Sequence, residues 1–211
     1  MTELVSAELV ATLVLLTIGL VTLIYVRPAL TRTQGGKILA FIALFVLPVA
    51  SIRNGFRLHF EATKMTAFCL SCHAMEPYGE SLLLADESYL PAAHFQNGRI
   101  DRKYACFTCH TQYTLFGDMK AKMNGLAHFW VYYTGQTPEQ IEIYSPYNNR
   151  ECLYCHTGGR RFEELHEYDM NTLVSNERTC MECHGNSHDV ARVHGAAKWK
   201  DSVEELLELK P

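Results

Sequence analysis

Apolar positions are distributed unevenly along this chain. Residues 9–26 carry no charged side chain, and with Leu4, Val5 and Ala7 ahead of them they reach the length of a membrane-crossing helix. A second apolar run, residues 38–52, is fifteen residues long and contains Pro48. Alone it fits either a short span or a buried helix. Past residue 56 there is no strand-like alternation. Helical spacing predicts short helices over residues 78–84, 117–133, 138–143 and 161–173, and a last amphipathic run over 196–209 carries Trp199, Val203, Leu206 and Leu207. The pattern predicts a mainly α protein with extensive irregular structure. A two-helix membrane anchor would occupy residues 1–56, with helices at about 4–26 and 37–53, and a second domain residues 57–211.

Charge adds direction to this picture. Glu3 and Glu8 flank the first run and no Lys or Arg precedes it, which does not fit a conventional signal peptide. Between the two runs lie Arg27, Arg32 and Lys37 with no acid among them. The 211 residues carry a formal charge of −4, which argues against a nucleic-acid partner. Charged residues at 20% and ample aromatics exclude a disordered chain.

Eight Cys and ten His change the picture most. Cys69-Leu-Ser-Cys72-His73, Cys106-Phe-Thr-Cys109-His110, Cys152-Leu-Tyr-Cys155-His156 and Cys180-Met-Glu-Cys183-His184 are four copies of C-x-x-C-H, with no Cys left over. This is the attachment pattern of c-type haem. Two thiols add to the vinyl groups of one porphyrin, and the adjacent His is placed beneath the iron. Zinc ribbons and disulfides also use paired Cys, but neither needs a His directly after the second one. With this His content, four such coincidences have odds of roughly five in a million. The motifs therefore predict four covalently bound haems. Their starts are 37, 46 and 28 residues apart, which leaves too little chain for a side-chain core around four porphyrins. The porphyrins would be the core, in mutual contact, and so an electron wire.

Haem attachment also fixes topology. C-type haem is attached on the outer side of the bacterial cytoplasmic membrane, so the chain past residue 60 must be exported. The loop with Arg27, Arg32 and Lys37 belongs inside. If the second run did not span, the basic loop and the haems would lie on one side, so the expected anchor is a two-span hairpin, its short second helix extended by Gly35, Gly36 and a snorkelling Arg53. The expected location is the bacterial inner membrane with the haem domain on the periplasmic side.

The residues resemble the NapC/NirT/NrfH family of tetrahaem cytochromes. The first motif continues as Cys-His-x-Met, in Cys72-His73-Ala-Met75, as it does in that family. His94-Phe-Gln-Asn97-Gly98, Lys120-Ala-Lys122 leading to His128, Gly135-Gln-Thr137-Pro138-Glu139 and Arg150-Glu151-Cys152 are also similar. The resemblance covers roughly residues 37–190. It departs in two places. The family has a single anchor helix, corresponding to residues 38–52, so the first apolar run is extra. The family commonly has a His five positions after the last motif His, whereas His188 follows His184 by four.

The resemblance implies that Met75, rather than His73, binds the first iron. It also implies His110, His156 and His184 on the other three irons, with His94, His128 and His188 as further ligands and His73, His166 and His194 as alternates. His59, just past the second run, is the least suited. Family members oxidise membrane quinols and pass the electrons to periplasmic reductases. Lys120, Lys122 and Asp118 are then the candidate quinol and proton site, with Asp101, Arg102 and Lys103 a second polar cluster. The family often has a carboxylate in this stretch, but none occurs here between Asp118 and Glu139. Cys69 lies only sixteen residues past residue 53, which holds the first haem near the bilayer surface. Two other functions fit the same residues: a relay subunit of a larger membrane complex that never touches quinol, and a cytochrome reducing a small oxyanion or amine. The last would need a shaped pocket with donors, for which this chain has little material.

Overall fold

A computed structural model describes residues 7–86, 88–138, 141, 147–185, 187–203 and 205. The chain divides into two units, Met1–Thr63 and Lys64–Pro211. Among the described residues it is helical with long irregular connections, and the only strand-like feature is an isolated bridge between Leu84 and Lys198.

The first unit is a helical hairpin. Helix α1 (Ala7–Val26) and helix α2 (Gln34–Ala62) are both long and apolar enough to cross a membrane. They pack side by side in opposite directions, and Val10 lies against Gly55. Their connection is a 3-10 turn, Pro28–Arg32. The Thr33 hydroxyl then caps α2 by accepting the Gly36 N–H at 3.0 Å. Gly36 is required there, because a Cβ at that position would lie 1.7 Å from Leu30 O. Pro48 has no N–H and its ring crowds the carbonyl four residues back. The helix answers with a widened turn over Ile42–Val46, in which the Leu47 N–H donates to Ile42 O.

At 29 residues, α2 outlasts its apolar run by a wide margin. It continues past residue 53 to Ala62 because Phe56 and Phe60 stack one turn apart, at 5.7 Å, and no Pro intervenes. Its length of about 43 Å exceeds a hydrocarbon core of about 30 Å. No side chain of α1 is buried, and Leu15, Tyr25, Ile38, Val49 and Ile52 all face outward. Such a surface suits a lipid-facing anchor.

The second unit is built from short helices. These are α3 (Thr66–Leu70), α4 (Glu76–Ser81), α5 (Leu90–Gln96), α6 (Ala105–His110), α7 (Gly117–Tyr133), α8 (Asn149–His156), α9 (Arg160–Leu165), α10 (Met170–Val174), α11 (Cys180–Cys183) and α12 (Val190–Val193). The helix expected over 117–133 has those bounds. The one expected over 161–173 is broken into α9 and α10, because His166 leaves helical geometry and bonds its ring back to Phe162 O at 2.8 Å. The run at 138–143 falls mostly outside the described residues, as does 196–209 beyond residue 205. Residues 196–202 are not helical: the Trp199 N–H donates to Leu83 O at 2.7 Å, and the Ala85 N–H to Ala197 O at 2.9 Å.

Two small apolar clusters hold this unit. Leu82, Leu83, Phe95, Ala105 and Val203 form one, and Leu84, Tyr89, Ala92 and Val193 the other. Gln96 ties them by donating from Nε2 to Leu82 O and Leu84 O at 2.9 and 2.8 Å.

Candidate haem sites

Three of the four C-x-x-C-H motifs lie on or at the end of a short helix. The second fills α6, the third ends α8 and the fourth is α11 followed by His184. One helical turn separates the two Cys of a pair, so both sulfurs lie on one face, as addition to one porphyrin edge requires. The first motif begins in α3 and ends in the 3-10 turn His73–Met75. None of the eight Cys is paired in a disulfide.

Successive motifs approach one another through these thiols. Cys69 and Cys106 hydrogen-bond, as do Cys152 and Cys180, and Cys109 lies near Cys155. The bond to Cys106 lowers Cys69 to about 7, with the Lys122 ammonium adding to the effect against burial. That bond, together with burial, raises Cys106. Burial pushes Cys109 up to about 11 and Cys152 to about 12.

The motif histidines separate into two kinds. His110 faces His188 with ring centroids 6.0 Å apart, His156 faces His94 at 6.0 Å, and His184 faces His166 at 6.3 Å. An iron held about 2 Å from a nitrogen of each ring puts the centroids roughly 6 Å apart. These pairs therefore fit an iron between them. Among the described residues no three His, Cys, Asp or Glu side chains gather as a bare metal ion needs. Donors meeting in facing pairs suit an iron that brings its own macrocycle. His73, by contrast, is 91% exposed and turned toward Glu76, 3.8 Å away. Met75 closes the same turn, half-buried, its N–H donating to Cys72 O at 2.8 Å.

The three partner rings are all held through Nδ1. His94 bonds Leu90 O at 2.9 Å, His166 bonds Phe162 O at 2.8 Å and His188 bonds Ser81 Oγ at 2.8 Å. Carbonyl acceptors require Nδ1 to carry the proton, which leaves Nε2 free to ligate. Burial, with His110 adding, pushes His188 down to about 4. Burial also lowers His110, His128 and His156. The neutral, ligating form is favoured in each case. His128 is half-buried in α7, and His194 is exposed at the end of α12.

The profile of the NapC/NirT cytochrome c family, N-terminal region, matches residues 31–193. The chain belongs to the NapC/NirT cytochrome c family. It is also 26% identical over 170 residues to the cytochrome c-type protein TorC of Escherichia coli K12, and equally to that of strain O157:H7. Each alignment covers 71% of this chain and 39% of the relative, so the chain spans about two fifths of the curated relatives it matches. No solved structure matches. As a NapC/NirT-type cytochrome it is an electron-transfer protein of membrane-associated respiratory systems, and membership implies covalently bound haem c.

In this NapC/NirT-type chain one expected quinol-site residue, Lys122, acts on the first motif, and another, Asp118, lies beside the end of the second. Asp118 opens α7 and is held by Lys64 at 2.8 Å and by the Thr111 hydroxyl at 3.1 Å. Lys122 lies over the Phe107 ring, 4.7 Å from its centroid, and acts on Cys69, while Lys120 is exposed. The second cluster does other work. Asp101 accepts the Lys103 N–H at the start of a turn, and Arg102 donates to Phe95 O and Gln96 O.

Several residues that organise the site carry no motif signal. Buried Asn149 accepts the Cys180 N–H at 2.8 Å and donates to Leu173 O and Arg178 O, joining the third motif to the fourth. Buried Glu151 accepts the Tyr113 N–H at 2.9 Å, and the Tyr147 hydroxyl donates to Cys109 O, joining the third to the second. Buried Thr66 donates to Arg102 O at 2.7 Å and accepts the Ala105 N–H at 2.9 Å, joining the first to the second. Of these, only Glu151 lay in a family-like stretch.

Proposed function

We propose that this cytochrome carries four haems, oxidises quinol at the outer surface of the bacterial cytoplasmic membrane, and passes the electrons to an exported reductase. The observation that carries this reading is the contrast between the motif histidines. Three face a second His at iron-spanning distance, while His73 turns to solvent beside Met75. His110 with His188, His156 with His94, and His184 with His166 would hold three of the haem irons, and Met75 would hold the first. The eight Cys make the thioether bonds. When bound, the haems supply one-electron transfer.

A thioether ligand raises a haem potential relative to two imidazoles, and His73, turned to solvent, would leave the holding of the first haem to Met75. Quinol also releases two protons, which haem does not take. Asp118 can accept one at a carboxylate oxygen, and Lys120 and Lys122 can hold the quinol oxygen by hydrogen bonds. Lys64 and Thr111 fix the Asp118 carboxylate for that role. Cys69 follows the last residue of α2 by seven residues, a tether of at most about 25 Å, which favours a lipid-soluble donor at this haem.

The decisive variant is Met75→Leu. Reduction of the purified full-length protein by a menaquinol analogue, with no partner present, should be lost. Four porphyrins should stay attached, with the spectra of three unchanged. Normal reduction would move electron uptake away from Met75 and favour the relay reading. One observation supports that second reading: α1 lies outside the family's single-anchor plan, and the exposed apolar face it turns away from α2 suits docking into a larger membrane complex.

A further inference from the structure

We propose that helix α7 lies along the bilayer surface and rests its outer face on anionic phospholipid, a second membrane contact besides α1 and α2. On a helix turning 100° per residue, Met119, Met123, Leu126, Trp130 and Tyr133 fall on one stripe, continued by Phe116 just ahead of it. All six are exposed, Trp130 at 71% and Tyr133 at 70%. The opposite face is the inner one: Ala121, Asn124, His128 and Val131 are each half-buried, and His128 lies within electrostatic reach of His110. The stripe therefore points away from the second motif.

The chemistry of the stripe matches a membrane interface. Trp and Tyr favour the headgroup level, and Met and Leu the upper acyl chains. Exposed Lys120 flanks the stripe on one side, where a long cationic side chain reaches phosphate while its stem covers apolar surface, whereas Lys122 turns inward over Phe107. Residues 119–138 contain no acid at all, against a whole-chain charge of −4. The one acid of the first turn, Asp118, is paired with Lys64 at 2.8 Å. Lys64 is also the second residue past the end of α2, so only Thr63 separates the lysine of this ion pair from the membrane helix along the chain. That continuity selects lipid over a soluble partner.

The inference rests on the membrane anchor and not on the identity of the electron donor, so its failure would leave the quinol reading standing. The test uses full-length haem-loaded protein in nanodiscs of phosphatidylethanolamine and phosphatidylglycerol, with a trace of phospholipid bearing a diazirine near the top of its acyl chain. After irradiation and digestion, peptides over 116–133 should carry lipid adducts at a yield close to that of the ends of α1 and α2. The yield should be several-fold above that of residues 160–174, where Leu165, Tyr168 and Val174 are equally exposed. Replacing phosphatidylglycerol with phosphatidylcholine should lower the α7 yield, and equal yields would overturn the anionic preference. The pair Met123→Glu and Leu126→Glu should cut the α7 adducts several-fold with haem spectra unchanged. Adducts on α1 and α2 but none on α7, as when another protein covers the stripe, would overturn the proposal. So would adducts indifferent to the double substitution.

Discussion

Ser81 Oγ has one hydrogen, and it is donated to Tyr78 O at 2.6 Å. The contact with His188 Nδ1 at 2.8 Å must then run the other way, from the ring N–H to the hydroxyl oxygen. This settles the tautomer of His188 and leaves Nε2 without the proton. His188 also has φ 54, a left-handed backbone that a non-glycine residue adopts only when its surroundings hold it. The acceptor at Nδ1 makes the ring a more basic ligand, which stabilises oxidised iron. Ser81→Ala should therefore raise the potential of one haem and leave the other three in place, as read by spectropotentiometric titration. Ser81→Thr should restore the native value, and an unchanged titration in Ser81→Ala would remove Ser81 from the site. None of this was legible in the sequence, where Ser81 is one Ser among several. His94 and His188 stood out by their place in the family pattern. His166 ranked only as an alternate, because spacing along a chain does not say which rings will face each other across 18 or 78 residues.

At the scale of elements, the helices with a full period were readable and those without one were not. Residues 117–133 run through nearly five turns, enough for the apolar spacing to declare itself. Helices of four to eight residues such as α11 and α8 show no period, and they stand because caps and cross-links hold them. At α11, Thr179 and Glu182 close a capping box, and the Glu182 carboxylate accepts the Thr179 N–H at 2.8 Å. At the start of α8, the Asn149 side chain engages Cys180, Leu173 and Arg178 at once. Asn149→Ala leaves a buried N–H and two carbonyls without partners. The expected loss is about 2–4 kcal/mol in denaturant melting of the haem-loaded protein. It should be accompanied by changes at the third and fourth haems, because Asn149 joins their motifs. A loss near zero would mean that the porphyrins, and not Asn149, hold the two motifs together.

For the whole molecule, the second unit has a small side-chain core for its length. Ten of its described apolar residues are fully buried, in two clusters and at Leu173, while Leu165 and Tyr168 stand exposed. A domain this size normally gains most of its stability from buried apolar surface. Here the porphyrins must supply much of it. Intact mass after acid-acetone extraction should show four porphyrins still attached, and Cys180→Ala with Cys183→Ala should leave three. A haem that extracts, or bound zinc in its place, would undo the reading of the motifs. Orientation follows from the same attachment chemistry. Haem is joined outside the cytoplasmic membrane, and the hairpin connection carries Arg27, Arg32 and Lys37. Gly35 is the position to test, because a Cβ there meets nothing within 4 Å, while the cap at Thr33 and the tight approach at Gly36 are left alone. With all eight Cys in thioether bonds to haem, an added thiol would be the only reactive one. In intact spheroplasts a membrane-impermeant maleimide should label Tyr168→Cys, at a site 97% exposed, at once. Gly35→Cys should react only after the membrane is opened. Labelling of Gly35→Cys from outside would put the basic loop on the same side as the haems, leaving one of the two helices off the span.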